Sequence, residues 1–169
     1  MNFLKIKNFL LVFLIIFSYL ISVVKTYAVD ITADRTISSS SDGDQYNIKT
    51  NNDIDVIVTN NSTLERNQKI FNVSAASLTG SSITIHLGSS VIAETNSIFS
   101  NGAELTITNT GTIEATNSKA INVSNSDGVS ITNNKNGVIK SNNNTILGDA
   151  GTGADNVTID NSGEIFTTA

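Results

Sequence analysis

The chain carries one histidine and no cysteine, and these counts limit the chemistry available to its side chains. A Cys–His nucleophilic pair is excluded, and a lone histidine cannot build a histidine-based zinc cluster. His86 lies in a run of alternating apolar and polar residues, at a position that faces outward from a strand. In the repeats described below it aligns with Thr59, Thr108, Thr132 and Asp160. We therefore expect a solvated surface histidine.

General acid–base catalysis needs carboxyl groups brought together in pairs. The fifteen acidic residues are instead spread singly along the repeats, for example Glu104, Glu114, Asp127 and Glu164. A solvated edge of the fold is the natural place for such residues. The sequence therefore predicts no catalytic residue, no cofactor and no metal site, and it indicates a protein that is not an enzyme.

Two segments have the composition of calcium-binding loops. Asp42-Gly43-Asp44 offers two carboxylates, but a calcium site needs about six oxygen ligands, so we interpret the segment as a solvated turn. Residues 150–157 resemble one unit of the calcium-binding repeats of toxins, with Ala150 in place of the first glycine. No second unit stands nine residues before or after, so a glycine-rich loop entering a strand at Val157 is favoured.

One short phrase recurs over residues 105–113, 129–139 and 157–165. It reads apolar-x-Ile-x-Asn, then a small turn with Gly, then x-Ile, and its glycines 111, 137 and 163 are 26 residues apart. Alternating apolar and polar residues are typical of strands, and a fixed period of this length indicates stacked copies of one supersecondary unit. The sequence predicts an all-β, right-handed parallel β-solenoid over residues 54–169.

Stacking places equivalent residues of successive copies in columns. The Asn residues at 109, 133 and 161 are expected to bond along the stack as an amide ladder, and residues 134–136 to bulge from a corner. Looser copies at 54–60 and 82–88 extend the pattern, with Asn60 in the ladder and Leu87 in the Asn position. About five coils result, beginning near residues 54, 83, 105, 129 and 157.

The N-terminal part differs in composition. Residues 1–28 have a positive start with Lys5 and Lys7, an apolar run over 9–24 and a small-residue site ending at Ala28, which together indicate a secretory signal peptide. The alternative is an uncleaved membrane anchor, because the uncharged run between Lys7 and Lys25 is barely long enough to span. Residues 29–53 lack the repeat, and we expect an N-terminal cap or loop in which 46–48 add a strand.

Beyond residue 28 the chain has seven basic and fifteen acidic residues, a formal charge of −8. Such an acidic chain has no electrostatic footprint for nucleic acid. Absence of proline agrees with uninterrupted strand pairing. No cap follows the last copy, and an uncapped coil leaves a pairing-competent edge. We therefore expect 54–169 to be the start of a longer protein, or to self-associate through its end coil.

A signal peptide followed by coils with the phrase Ile-Thr-Asn-(Ser/Thr)-Gly-x-Ile resembles the passenger region of autotransporter proteins of Gram-negative bacteria. The matching segments are 107–113, 131–139 and 159–165. The resemblance implies a cell-surface or extracellular location and a C-terminal β-barrel that anchors the passenger in the outer membrane. Nothing in this sequence matches that barrel, so the implied barrel partner lies outside it.

Three functions of different classes are open from the sequence. The first is a secreted or cell-surface structural or adhesion module, whose stiff stack displays loops at 134–136 and 142–153 to a host or surface ligand. The second is a fragment of a polysaccharide-active β-helix enzyme, although clustered acids and aromatic residues are scarce. The third is an ice-binding or other flat-surface binder. Its outward hydroxyls would come from Thr84, Thr106, Thr108, Ser130, Thr132 and Thr158.

Overall fold

A computed structural model describes residues 27–49, 53–59, 61–74, 80–101, 104–148 and 156–168. The predicted signal peptide therefore falls almost wholly outside the described residues. The described chain forms eighteen short strands and no helix. None of these residues belongs to a helix long and apolar enough to cross a membrane.

The strands form three parallel sheets of six strands each. Sheet A contains β1 (Ala28–Ile31), β4 (Gln45–Ile48), β7 (Phe71–Val73), β10 (Ile98–Asn101), β13 (Ile121–Asn125) and β16 (Ile146–Leu147). Sheet B contains β2 (Arg35–Ile37), β5 (Asp55–Val58), β8 (Ser81–Ile85), β11 (Leu105–Asn109), β14 (Ser130–Asn133) and β17 (Thr158–Asn161). Sheet C contains β3 (Ser41–Asp42), β6 (Thr63–Arg66), β9 (Ser90–Ala93), β12 (Thr112–Ala115), β15 (Val138–Ser141) and β18 (Glu164–Thr167).

Each strand pairs with the strand three later in the chain, so the chain visits sheets A, B and C in turn. The first and last strands of one sheet are separated by about five full turns, and the predicted parallel β-solenoid is confirmed. Its axial repeat is the parallel strand spacing of about 4.8 Å. A parallel sheet needs a covered inner face and continuous strand pairing. The absence of proline permits the continuous pairing.

The core is a column of stacked aliphatic side chains inside the three sheets. Ile107 lies in register between Ile83 and Ile131, and Ile113 between Val91 and Ile139, all fully buried. Each such side chain contributes roughly 1.5–3 kcal/mol on removal from water. Because strands alternate, every second residue of the repeated phrase fills this column, and the intervening residues face solvent.

Residues 28–48 lie at the N-terminal end of the stack, where a cap was predicted, and they are built as a further coil. The predicted strand over 46–48 is confirmed within β4. In this coil Arg35 stands in the column of Val56, and Ser41 stands in the column of Leu64. Polar residues in core columns explain why the repeat is not visible here in the sequence.

Candidate functional surfaces and the asparagine ladder

The predicted amide ladder runs through the last three strands of sheet B. Asn109 Nδ2 donates to Asn133 Oδ1 at 2.8 Å, and Asn133 Nδ2 donates to Asn161 Oδ1 at 2.8 Å. Asn109 and Asn133 are fully buried. The ladder is directional, because each amide nitrogen points towards the next coil. It satisfies buried amides that would otherwise be costly.

A glycine follows each ladder residue because the chains approach closely there. A Cβ atom on Gly163 would lie 2.3 Å from the Gly137 carbonyl oxygen, and a Cβ on Gly137 would lie 2.7 Å from the Asn109 carbonyl oxygen. The amide of Gly163 also donates to Asn161 Oδ1 at 3.2 Å. A glycine two residues after Asn109 and Asn161, and four after Asn133, thus couples the side-chain ladder to a tight corner.

The register predicted for the two earlier copies is wrong by two residues. Asn109 pairs with Ile85, and Ile85 pairs with Val58, so Val58 and Ile85 occupy the ladder column. Leu87 is not in that column, and it is 62% exposed in a turn. Asn60 lies outside the described residues. The coils align at the last residues of their sheet B strands. Because the turns that follow differ in length, this alignment was not evident from the sequence.

His86 is exposed, as predicted, but its alignment with Thr108 is wrong. Ile85 pairs with Asn109, so His86 stands level with Thr110, while Thr108 pairs with Thr84. On the other side the predicted neighbour is correct, since His86 Nδ1 lies 3.3 Å from Thr59 Oγ1. In the described part of the chain no cluster of three or more His, Cys, Asp or Glu residues is able to hold a metal ion.

The connection between sheets B and C, here named the B–C corner, varies in length. It has four residues after β5, β8 and β14, and two after β11 and β17. The predicted bulge at 134–136 is confirmed as the middle of the turn after β14, where Lys135 and Asn136 are exposed. A hollow of about 500 Å³ lies where the two four-residue turns after β5 and β8 adjoin the two-residue turn after β11. Its lining consists of Thr59, Asn61, His86, Leu87 and Thr110.

Two pairs of acidic residues meet across coils, which the sequence interpretation as single residues missed. Asp42 pairs in register with Glu65, and Asp34 Oδ1 accepts a hydrogen bond from the backbone amide of Asp55 at 2.9 Å. Their separations along the chain, 23 and 21 residues, differ from the 26-residue period, so spacing alone does not reveal them. Elsewhere Glu114 is paired with Lys140 at 3.0 Å.

A groove of about 340 Å³ lies beside the Asp42–Glu65 pair and includes Arg66 and Glu94. Arg66 Nη1 donates to Gln45 Oε1 at 2.6 Å, and desolvation lowers the pKa of the guanidinium. The lining is mostly polar, with Ile92 as its largest apolar side chain. The groove has acids and a cation of the kind that bind hydroxyl-rich ligands, but its described lining includes no aromatic residue for stacking.

A second amide run, absent from the sequence analysis, lies on sheet A. Asn72 Nδ2 donates to Asn47 Oδ1 at 3.2 Å, and Asn47 Nδ2 donates to Asp30 Oδ1 at 3.1 Å. The hydrogen bond from Asn47, followed by the charge of Lys49 at 3.3 Å, lowers the pKa of Asp30. Asp30, Asn47 and Asn72 lie outside the repeated phrase, so their proximity follows only from the pairing register of the strands of sheet A.

The outward face of sheet B presents two columns of small hydroxylated side chains. Thr84, Thr108 and Thr132 are consecutive in one column, and the next strand residue of each coil faces inward. The parallel column consists of Ser82, Thr106, Ser130 and Thr158. The array ends at Asp160 on one side and Ile57 on the other. The predicted outward hydroxyls therefore share one face and one register.

The two calcium-loop candidates fare differently. Asp42 ends β3, and Gly43 takes a φ of 89°, as expected of a turn. Residues 150–155 lie outside the described residues, while Asn156 has a φ of 60° and Val157 is partly buried before β17.

Comparison with known proteins found no match among protein-family models, curated proteins or solved structures.

Proposed function

We propose that this protein is a secreted or cell-surface structural module, whose β-solenoid displays the B–C corner to a surface ligand. The observation that carries the proposal is the exposure of Leu87 on a turn fixed to a hydrogen-bonded stack. Leu87 lines the hollow together with Thr59, Asn61, His86 and Thr110, so this turn places an apolar side chain beside polar groups. Loops held by a rigid scaffold are the usual carriers of binding, and the proposal assigns no reaction to the module.

Export is the second part of the proposal. Residues 1–28 act as a cleaved signal peptide, and the solenoid is right-handed, the hand that connections between parallel strands adopt almost always. The first described strand, β1, begins at Ala28, the last residue of the predicted leader, so cleavage after Ala28 would leave Val29–Ile31 in that strand. An autotransporter-like anchoring to the outer membrane would depend on a C-terminal β-barrel partner.

The export proposal is tested by expressing the full chain in a Gram-negative bacterium and determining the N-terminus of the product. A product that begins at Val29 and leaves the cytoplasm supports cleavage. A product that retains Met1 and fractionates with the inner membrane supports the uncleaved anchor instead.

The display proposal is tested by binding of the labelled protein to epithelial cells and to immobilised mucin. Leu87→Asp should abolish binding, and Thr106→Asp, on the outward face of sheet B, should leave it unchanged. Both positions are exposed, so neither change is expected to unfold the stack. Equal loss in both variants, or no loss in either, would sink the assignment to the B–C corner.

A second candidate function is favoured by the hydroxyl columns of sheet B. Ordered hydroxyl and methyl groups repeat at about 4.8 Å across the strands and at about 6.8 Å along them. Such a face is suited to a regular surface such as ice. The measurement is ice recrystallisation in the presence of the protein. Here Thr106→Asp should remove the activity and Leu87→Asp should not, the reverse of the pattern expected for display.

A further inference from the structure

The chain contains pairs of residues in which Asn or Asp precedes Gly, and such pairs are prone to spontaneous rearrangement. They are Asp42-Gly43, Asn101-Gly102, Asp127-Gly128 and Asn136-Gly137. In each pair the glycine amide nitrogen can attack the side-chain carbonyl carbon and close a succinimide ring, because glycine has no side chain to hinder the approach. Gly102 lies outside the described residues, so the structure allows the other three pairs to be compared.

Two of the three glycine amides are protected in the structure. The Gly137 amide donates to the Asn134 carbonyl oxygen at 2.7 Å, and the Gly43 amide donates to the Glu65 carbonyl oxygen at 2.9 Å. Both glycines are buried. An amide nitrogen that donates a hydrogen bond must break this bond before it loses its proton and attacks. The sequence alone would favour Asn136-Gly137, because a side-chain amide is more reactive than a carboxylate, but the structure opposes that reaction.

Gly128 has neither protection. None of the described groups accepts a hydrogen bond from its amide, and both Gly128 and Asp127 are exposed. Gly128 lies in the connection between β13 and β14, with a φ of 68°. Asn156 Nδ2 donates to Asp127 Oδ1 at 3.2 Å, whereas Oδ2 makes no hydrogen bond to the described residues. The attacking nitrogen and the departing oxygen are therefore both open to water.

We propose that Asp127 is a site of spontaneous isomerisation to isoaspartate. The Gly128 nitrogen forms a bond to Asp127 Cγ, and the hydroxyl of the protonated carboxyl group leaves with the amide proton as water. A second water molecule then opens the succinimide at either carbonyl carbon. Opening at the main-chain carbonyl carbon leaves the chain running through Cγ, with the overall composition unchanged. The reaction requires only water, and it does not depend on the display function proposed above.

The modification alters a corner whose two flanks are fixed. Ser126 is fully buried and donates from Oγ to Ser100 Oγ at 2.8 Å, and Val129 is fully buried in the core. Isoaspartate adds one methylene to the main chain between these two residues. The connection at 127–128 has to absorb the extra length, so the change is confined to the corner between β13 and β14.

The chain supplies its own matched control, because Ser-Asp-Gly occurs both at 41–43 and at 126–128. The full chain is incubated at body temperature and mildly acidic pH, where part of the carboxyl groups is protonated, once folded and once in urea. Proteolytic peptides are then separated and analysed by mass spectrometry. Isoaspartate is identified by methyl transfer from S-adenosylmethionine with an isoaspartyl methyltransferase. The variant Asp127→Glu accompanies the natural chain, because glutamate would have to close a larger ring.

In the folded chain we expect isoaspartate to form at Asp127 at least about fivefold faster than at Asp42, the factor that corresponds to one ordinary hydrogen bond. In urea the two sites should react at the same rate. Asn136 should deamidate at least about fivefold more slowly in the folded chain than in urea. Asp127→Glu should remove the isoaspartate at this position and leave the rate at Asp42 unchanged.

Equal rates at Asp42 and Asp127 in the folded chain, or a faster reaction at Asp42, overturn the proposal. Deamidation of Asn136 at the same rate in the folded chain and in urea also overturns it, because the hydrogen bond of the Gly137 amide would then give no protection. These comparisons are made within the natural chain, so they do not depend on the folding of a variant.

Discussion

Replacing Asn133 by alanine tests whether the ladder stabilises the stack. Asn133 accepts from Asn109 Nδ2 and donates to Asn161 Oδ1, both at 2.8 Å, and it lies 3.2 Å from the carbonyl oxygens of Gly137 and Glu164. The substitution removes two amide–amide bonds, each of about 1 kcal/mol, and leaves a buried Asn109 amide with a poorer set of partners. We expect a loss of about 3 kcal/mol in the free energy of unfolding.

The matched control is Asn161→Ala. Asn161 is exposed and accepts one ladder bond, so the expected loss is about 1 kcal/mol. The assay is urea unfolding followed by circular dichroism, with the midpoint compared at a common slope, because a change of slope would indicate that the stack no longer unfolds cooperatively. Losses below about 0.5 kcal/mol in both variants, or a larger loss for Asn161→Ala, would refute the reasoning.

Three further predictions concern a corner, a surface turn and an ion pair. Gly137→Ala should lower the free energy of unfolding by roughly 1–3 kcal/mol, because the added Cβ would clash with backbone and side-chain oxygens. Leu87→Ser should change stability by less than about 0.5 kcal/mol in the same assay, since Leu87 is exposed. The pKa of Asp30 is lowered in the folded state, mainly by Asn47 and then by Lys49, so its stabilisation is present at neutral pH and is lost as pH falls through the folded pKa. Asp30→Asn should therefore flatten the acid limb of a stability profile against pH.

The class of fold was predictable from the sequence because the phrase encodes both strand alternation and a period. Asn109, Asn133 and Asn161 carry the same signal and lie in one column, as predicted. The shift of two residues at Val58 and Ile85 was not predictable, since the B–C corner changes length between coils and only the pairing shows which end of the strand is fixed.

The coil at the N-terminal end was missed for a physical reason. Arg35 and Ser41 take positions that are aliphatic in later coils, and both contact Tyr46. The pairing of Asp42 with Glu65 was missed for another reason. A contact between coils depends on the number of residues in each turn, and this number is not constant.

The central claim is the parallel in-register stack, and paired cysteines test it most directly because the natural chain has none. The double variant Thr84→Cys with Thr108→Cys places the two Cα atoms about 4.8 Å apart, within reach of a disulfide. The double variant His86→Cys with Thr108→Cys separates them by about 8 Å, beyond that reach. After mild oxidation and peptide mapping by mass spectrometry, the account predicts a disulfide in the first variant and none in the second. A disulfide that forms in the second variant and not in the first would contradict the register described for the solenoid.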